Sequence, residues 1–195
     1  MAQKSKSTAQ TRTAQVREIY TLERAVALAP TAKGVAALTQ AFALEPVDDA
    51  GIRSTAKDIV IRLAETLKPN LKDQALEIHL QRIVGSFVAS ACGAGNFYSA
   101  KVGTARDLTS KLANDARDED RDPVYGFESR AQRARVFAAE MGLQAFALLA
   151  AAKGAVEAFA DATGSEWKPY VPDQTTTPGV TRRAAEAELA AFDAT

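Results

Sequence analysis

"FESRAQRARVFAAEMGLQAFALLAAAKGAVEAFADATG", residues 127–164, is the stretch that decides the fold. Apolar side chains recur along it at helical spacing, with Phe137, Met141, Leu148, Val156 and Phe159 on one stripe. Gly164 stands where a left-handed residue would end the helix. The reading is one long helix over 127–163. It far exceeds the average of about 11 residues, as expected of a spine around which other helices pack. Gly142 and Gly154 lie inside it. Each weakens the helix by about 1 kcal/mol relative to alanine, so each marks a kink or a close helix crossing.

Alanine dominates this stretch and the whole chain, at roughly a fifth of all residues, well above ordinary usage. It is the best helix former because it loses no side-chain entropy, and it lets helices approach closely. Working outward, the pattern predicts helices over 15–29, 32–44, 54–67, 71–91, 97–114 and 181–192. Val16, Ile19, Tyr20 and Val26 mark the first. Val35, Leu38 and Phe42 mark the second, and Ile59, Val60, Leu63 and Leu67 the third. Leu76, Leu80, Ile83, Val84, Phe87 and Val88 stripe the fourth. Phe97, Ala105, Leu108 and Leu112 share a face of the fifth. Pro30, "EPVDDAG" and "KPN" separate the first four. The fold class is therefore all-α: an irregular bundle of about six helices around one long central helix. Residues 1–14 read as a flexible polar arm, 15–164 as the helical domain, and 165–195 as an extended strap and terminal helix.

At 195 residues the chain can bury roughly 70% of its unfolded surface without staples. A single cysteine excludes an internal disulfide framework and a multi-cysteine zinc site. A formal net charge of zero leaves no whole-molecule field to steer the chain to nucleic acid or anionic membrane. The first residues carry no apolar signal core. The most apolar run, residues 141–152, is shorter than the roughly 20 residues of a membrane span. The expectation is a cytoplasmic protein, or a virion component if phage-encoded, with no membrane partner. Abundant alanine and arginine, both with GC-rich codons, point to a bacterial, phage or plasmid source.

The stretch "SACGAGNFYSAKVGTARDL", residues 90–108, draws four chemical readings. Cys92 and His79 are the sole cysteine and histidine, so a Cys–His dyad would have to use both. On a continuous helix they lie roughly 140° apart and about 20 Å apart along the axis. The expectation is a small thiol at a helix end and a solvent-facing imidazole. A dinucleotide cradle needs a strand before its glycines, and Tyr98 stands where the third glycine belongs. A helix-turn-helix with Gly103 in the turn puts Thr109 where an apolar anchor is needed. The expected reading is a corner: Gly93 and Gly95 stop one helix, Asn96 caps the next, and Gly103 allows a close backbone approach. Farther on, Asp118, Asp120 and Asp122 have the alternate spacing of a calcium loop. Pro123 takes the place that requires a positive-φ glycine, and Ser129 the place of the bidentate glutamate.

No cofactor or metal is implied, and no catalytic constellation is visible. The leading expectation is a non-enzymatic structural or interaction protein that self-associates as a homo-oligomer or joins other protein subunits. The candidate contact residues are basic or aromatic. Arg130, Arg133 and Arg135 sit early in the long helix, where they oppose the macrodipole and so call for a partner. Trp167 and Tyr170 lie in the strap, and Arg182, Arg183, Leu189 and Phe192 in the terminal helix. The alternative is a nucleic-acid-associated accessory protein using the basic arm and these arginines. An enzyme of unknown type stands third.

Overall fold

A computed structural model describes residues 24, 27, 31–44, 49–115, 127–169, 171 and 182–193. Among them are five helices and no strand, so the fold is all-α. They are α1 (Ala32–Leu44), α2 (Asp49–Leu67), α3 (Asp73–Asp115), α4 (Phe127–Thr163) and α5 (Arg182–Asp193). The helix expected over 15–29 falls largely outside the described residues; Arg24 and Ala27 are helical. Helix α2 starts five residues earlier than its expected 54, and Asp49 places a carboxylate in its first turn, where the helix dipole favours it.

The two helices expected over 71–91 and 97–114 are one helix of 43 residues. The corner is therefore overturned. Gly93, Gly95 and Gly103 are ordinary helical positions, and a Cβ at any of them would meet nothing within 4 Å. Asn96 is an exposed mid-helix residue and caps nothing. Glycine costs a helix about 1 kcal/mol per position, which the neighbouring register outweighs. Val84, Ala91, Tyr98 and Ala105 are all buried and follow one another at intervals of seven. Seven residues are nearly two full turns, so one apolar seam runs straight past the glycines.

The helix ends follow local chemistry. Thr31 opens α1: its Oγ1 accepts from the Gly34 amide at 2.9 Å, while its carbonyl accepts from Val35. This is the usual way to satisfy first-turn donors. Gly164 closes α4 with φ +69°, and its amide donates to the Ala160 carbonyl. A residue without Cβ takes this conformation at little cost. Lys68 to Leu71 turn the chain between α2 and α3, with the Asn70 and Leu71 amides donating to Leu67.

The helices distribute into two compact units, Met1–Cys92 with Ala147–Asp173, and Gly93–Phe146 with Gln174–Thr195. In the first unit, Val35, Leu38 and Phe42 of α1, Ile52, Ile59, Val60 and Leu63 of α2, and Leu80, Val84 and Phe87 of α3 supply the volume. Each such side chain contributes about 1.5–3 kcal/mol when fully buried. Helix α4 supplies mostly small side chains. Ala151, Ala152, Ala155 and Ala158 are fully buried; Phe159 and Leu149 are its buried large residues, and Leu148 and Val156 pack half-buried against the core. Large side chains thus seat against an alanine wall, the pairing of sizes that fills space without voids. At Gly154 the wall touches backbone. A Cβ there would fall on the Arg53 carbonyl oxygen, with the carbonyl carbon at 2.9 Å and Cα at 3.1 Å. Arg53 pairs with Glu157, and Lys57 with Asp161 at 2.7 Å. Both pairs advance together in sequence, so α2 runs parallel to this part of α4.

The second unit is built differently. Among the described residues its buried side chains are Tyr98 and a set of alanines: Ala105, Ala131, Ala138, Ala139, Ala145 and Ala185. Gly142 makes the tyrosine fit. A Cβ there would lie 2.9 Å from Cε2 and Cζ of the ring, which also meets Phe146 edge-on at 6.3 Å.

Residues 130–163 of α4 contain an 18-residue window of mean hydropathy 1.4, long and apolar enough by length and composition to cross a membrane. The run 141–152 alone does not reveal this, because alanine spreads the hydropathy over every face. Half of that window is buried inside the protein.

Candidate interaction surface of the second unit

Two features of the second unit present apolar chemistry to solvent. The first is an aromatic pair. Phe97 of α3 and Phe137 of α4 are 46% and 42% exposed. Their rings meet edge-on with centroids 6.4 Å apart. The Lys101 ammonium lies 4.8 Å from the Phe97 centroid and 5.7 Å from that of Phe137. The lysine sits one turn beyond Phe97, so helical spacing alone brings them together. A cation over two ring faces is attracted by their quadrupoles, by about 0.5–1 kcal/mol at an exposed site. The patch is therefore apolar and positively charged at once.

The second is a groove of about 440 Å³ lined by α3, α4 and α5. Its walls are mostly small: Val102, Ala105, Ala138, Ala139, Ala184 and Ala185. Tyr98 lines it from α3, and Arg106, Arg135 and Glu188 bring charge to it. Arg135 Nε lies 3.3 Å from Glu188 Oε1, which ties α4 to α5. Burial of the Tyr98 phenol pushes its pKa up, so the hydroxyl keeps its proton and remains a donor.

Of the residues expected from sequence, Arg135 is the one the groove includes, and its partner is Glu188. The acidic run "DARDEDRD", residues 115–122, lies outside the described residues beyond Asp115, as do the calcium-loop aspartates. Arg130, Arg133 and Arg183 are exposed, and Leu189 is half-buried. Tyr170 and the side chains of Arg182 and Phe192 lie outside the described residues. Trp167 belongs to the first unit. It stacks edge-on against Phe159 at 5.2 Å and comes within van der Waals reach of Gly85. The strap thus lies on the core at this residue, with Val171 also packed against it.

The remaining candidates are decided by α3. Cys92 and His79 lie on one continuous helix, so the thirteen-residue separation stands, and a helix-turn-helix at Gly103 is excluded. The imidazole does not face solvent fully as expected: the residue is half-buried, and its Nε2 is buried and without a hydrogen-bond partner, like Nε1 of Trp167. Cys92 is half-buried against the core. Among the described residues no three His, Cys, Asp or Glu side chains cluster as metal ligands.

Phe97, Phe137, Lys101 and Tyr98 were missed as site residues. The signal available was the unbroken seven-residue seam of α3. It places Tyr98 inside and Phe97 one residue off the seam. Comparison with family models, with curated proteins and with solved structures finds no match to this chain. What the fold and the surface define is an all-α protein with an exposed aromatic pair and an alanine-walled groove.

Proposed function

We propose that this chain is a non-enzymatic interaction protein that self-associates, an assembly component of a bacterial cell, phage or plasmid system. The observation that carries the reading is the Phe97–Phe137 pair: two large rings in contact with each other on neighbouring helices, both more than two-fifths exposed. Aromatic side chains of this kind are the anchors that interfaces concentrate, because they bury large area at low entropic cost. Alanine faces beside them allow a second helix to approach closely. The same reading takes the chain as an irregular bundle of about six helices around α4, in the cytoplasm or in a particle. The N-terminal arm and the C-terminal strap act as elements that reach neighbouring copies.

Light scattering at two protein concentrations, on the wild type and on the double variant Phe97→Ser/Phe137→Ser, tests this. The wild type is expected to gain mass with concentration and the variant to remain monomeric. A wild type that stays a monomer at both concentrations overturns the reading. Tight DNA or RNA binding that falls steeply with salt, and is lost on deleting residues 1–14, would replace it with the nucleic-acid alternative.

A further inference from the structure

The groove of the second unit carries an inference independent of self-association. Its volume, about 440 Å³, lies within the range of about 300–1,000 Å³ typical of small-molecule sites. A helix with its side chains is about 10 Å across and rises about 5.4 Å per turn, so this space seats only about one helical turn. That favours a small molecule over a docked helix.

Three features specify its chemistry. The walls are mostly methyl and isopropyl groups, which accept an apolar body, with Thr109 and Ser110 the hydroxyl residues beside them. The charge beside them is positive: Glu188 is engaged by Arg135, while Arg106 makes no ion pair among the described residues. Finally, Tyr98 is only 1% exposed yet lines the groove, and its hydroxyl makes no hydrogen bond to another described residue. The hydroxyl is therefore a donor open to the groove, from which a ligand oxygen can accept. Tyr98 and Arg106 stand eight residues apart on one helix, about 12 Å along its axis.

We propose that this groove binds an amphiphilic anion. Its apolar body lies along the alanine walls, its carboxylate pairs with Arg106, and an oxygen at the far end of the body accepts from the Tyr98 hydroxyl. A linear ω-hydroxy carboxylic acid of medium chain length has this pattern. Gly142 is part of the device, because only a residue without Cβ leaves the tyrosine ring room to lie against α4.

Isothermal titration calorimetry of the full chain with 10-hydroxydecanoate tests the proposal, with decyltrimethylammonium as the cation of similar chain length. Saturable one-to-one binding is expected for the anion and none for the cation. Arg106→Gln is expected to weaken binding at least fivefold, and Tyr98→Phe two- to fivefold. Ala184→Phe, a bulky change at the exposed rim, is expected to weaken it at least tenfold with unchanged helicity by circular dichroism. Equal affinity for both amphiphiles, no saturation below millimolar concentration, or full binding by the Arg106 and Ala184 variants would overturn it. So would dissociation of an oligomer on titration, which would assign the groove to a second copy of the chain. Because self-association is read out by the Phe97/Phe137 variant instead, the two proposals fail separately.

Discussion

The two units use the same two long helices to opposite ends. In the first, ten large side chains of α1, α2 and α3 press on the alanine face of α4, and backbone meets backbone at Gly154. In the second, among the described residues, alanine faces alanine around one buried tyrosine, and the large rings of Phe97 and Phe137 are exposed. Burial stabilises in proportion to apolar area, so the first unit holds most of the folding free energy. Among its described residues the second buries little large apolar side chain and leaves Phe97 and Phe137 exposed. An alanine-rich helix is therefore not one kind of surface. Its effect depends on whether its neighbours bring volume to it.

The sharpest way to break this contrast is at the α2–α4 contact. Gly154→Ala would drive a methyl group into the Arg53 carbonyl, and neither backbone can rotate away. Overpacking of this kind costs about 1–3 kcal/mol, and the upper end is expected here. Urea unfolding followed by circular dichroism measures it. A cost near zero would mean that α2 does not rest on α4 at that residue.

A smaller and opposite effect is expected in α3. Gly93→Ala with Gly95→Ala should stabilise the protein, by about 1 kcal/mol per position, since alanine replaces glycine in an open helical site. Thermal unfolding is the readout. A loss of stability would restore the corner that the two glycines suggest.

That corner shows where the sequence was legible and where it was not. The bounds of helix α4 were readable, because apolar residues recur along it and Gly164 ends it, but its buried face was not: alanines fill it, while Phe137 of the expected stripe is exposed and Met141, Leu148 and Val156 are half-buried. Helix α1 was readable because Val35, Leu38 and Phe42 recur at helical spacing between Pro30 and "EPVDDAG". At Gly93 and Gly95 local propensity and long-range register conflict. Propensity says stop, at about 1 kcal/mol per residue, whereas the buried series Val84, Ala91, Tyr98 and Ala105 says continue. The register carried the information, and weighing glycine above it gave the wrong answer. The groove was not legible at all. Its walls come from three helices far apart in sequence, and alanine carries no mark that separates a wall from a core. Arg135 was singled out as needing a partner, but nothing local names Glu188, 53 residues away.

Hydrogen exchange along α3 at low and high protein concentration tests the central claim most directly. One helix serves both units, so its two halves form an internal comparison. Amides at 80–88 are expected to exchange only through global unfolding, and equally at both concentrations. Amides at 97–105 are expected to exchange through a lower-energy opening, and to gain protection as concentration rises and the Phe97–Phe137 face is covered. Uniform protection along the helix, unchanged by concentration, would contradict the account.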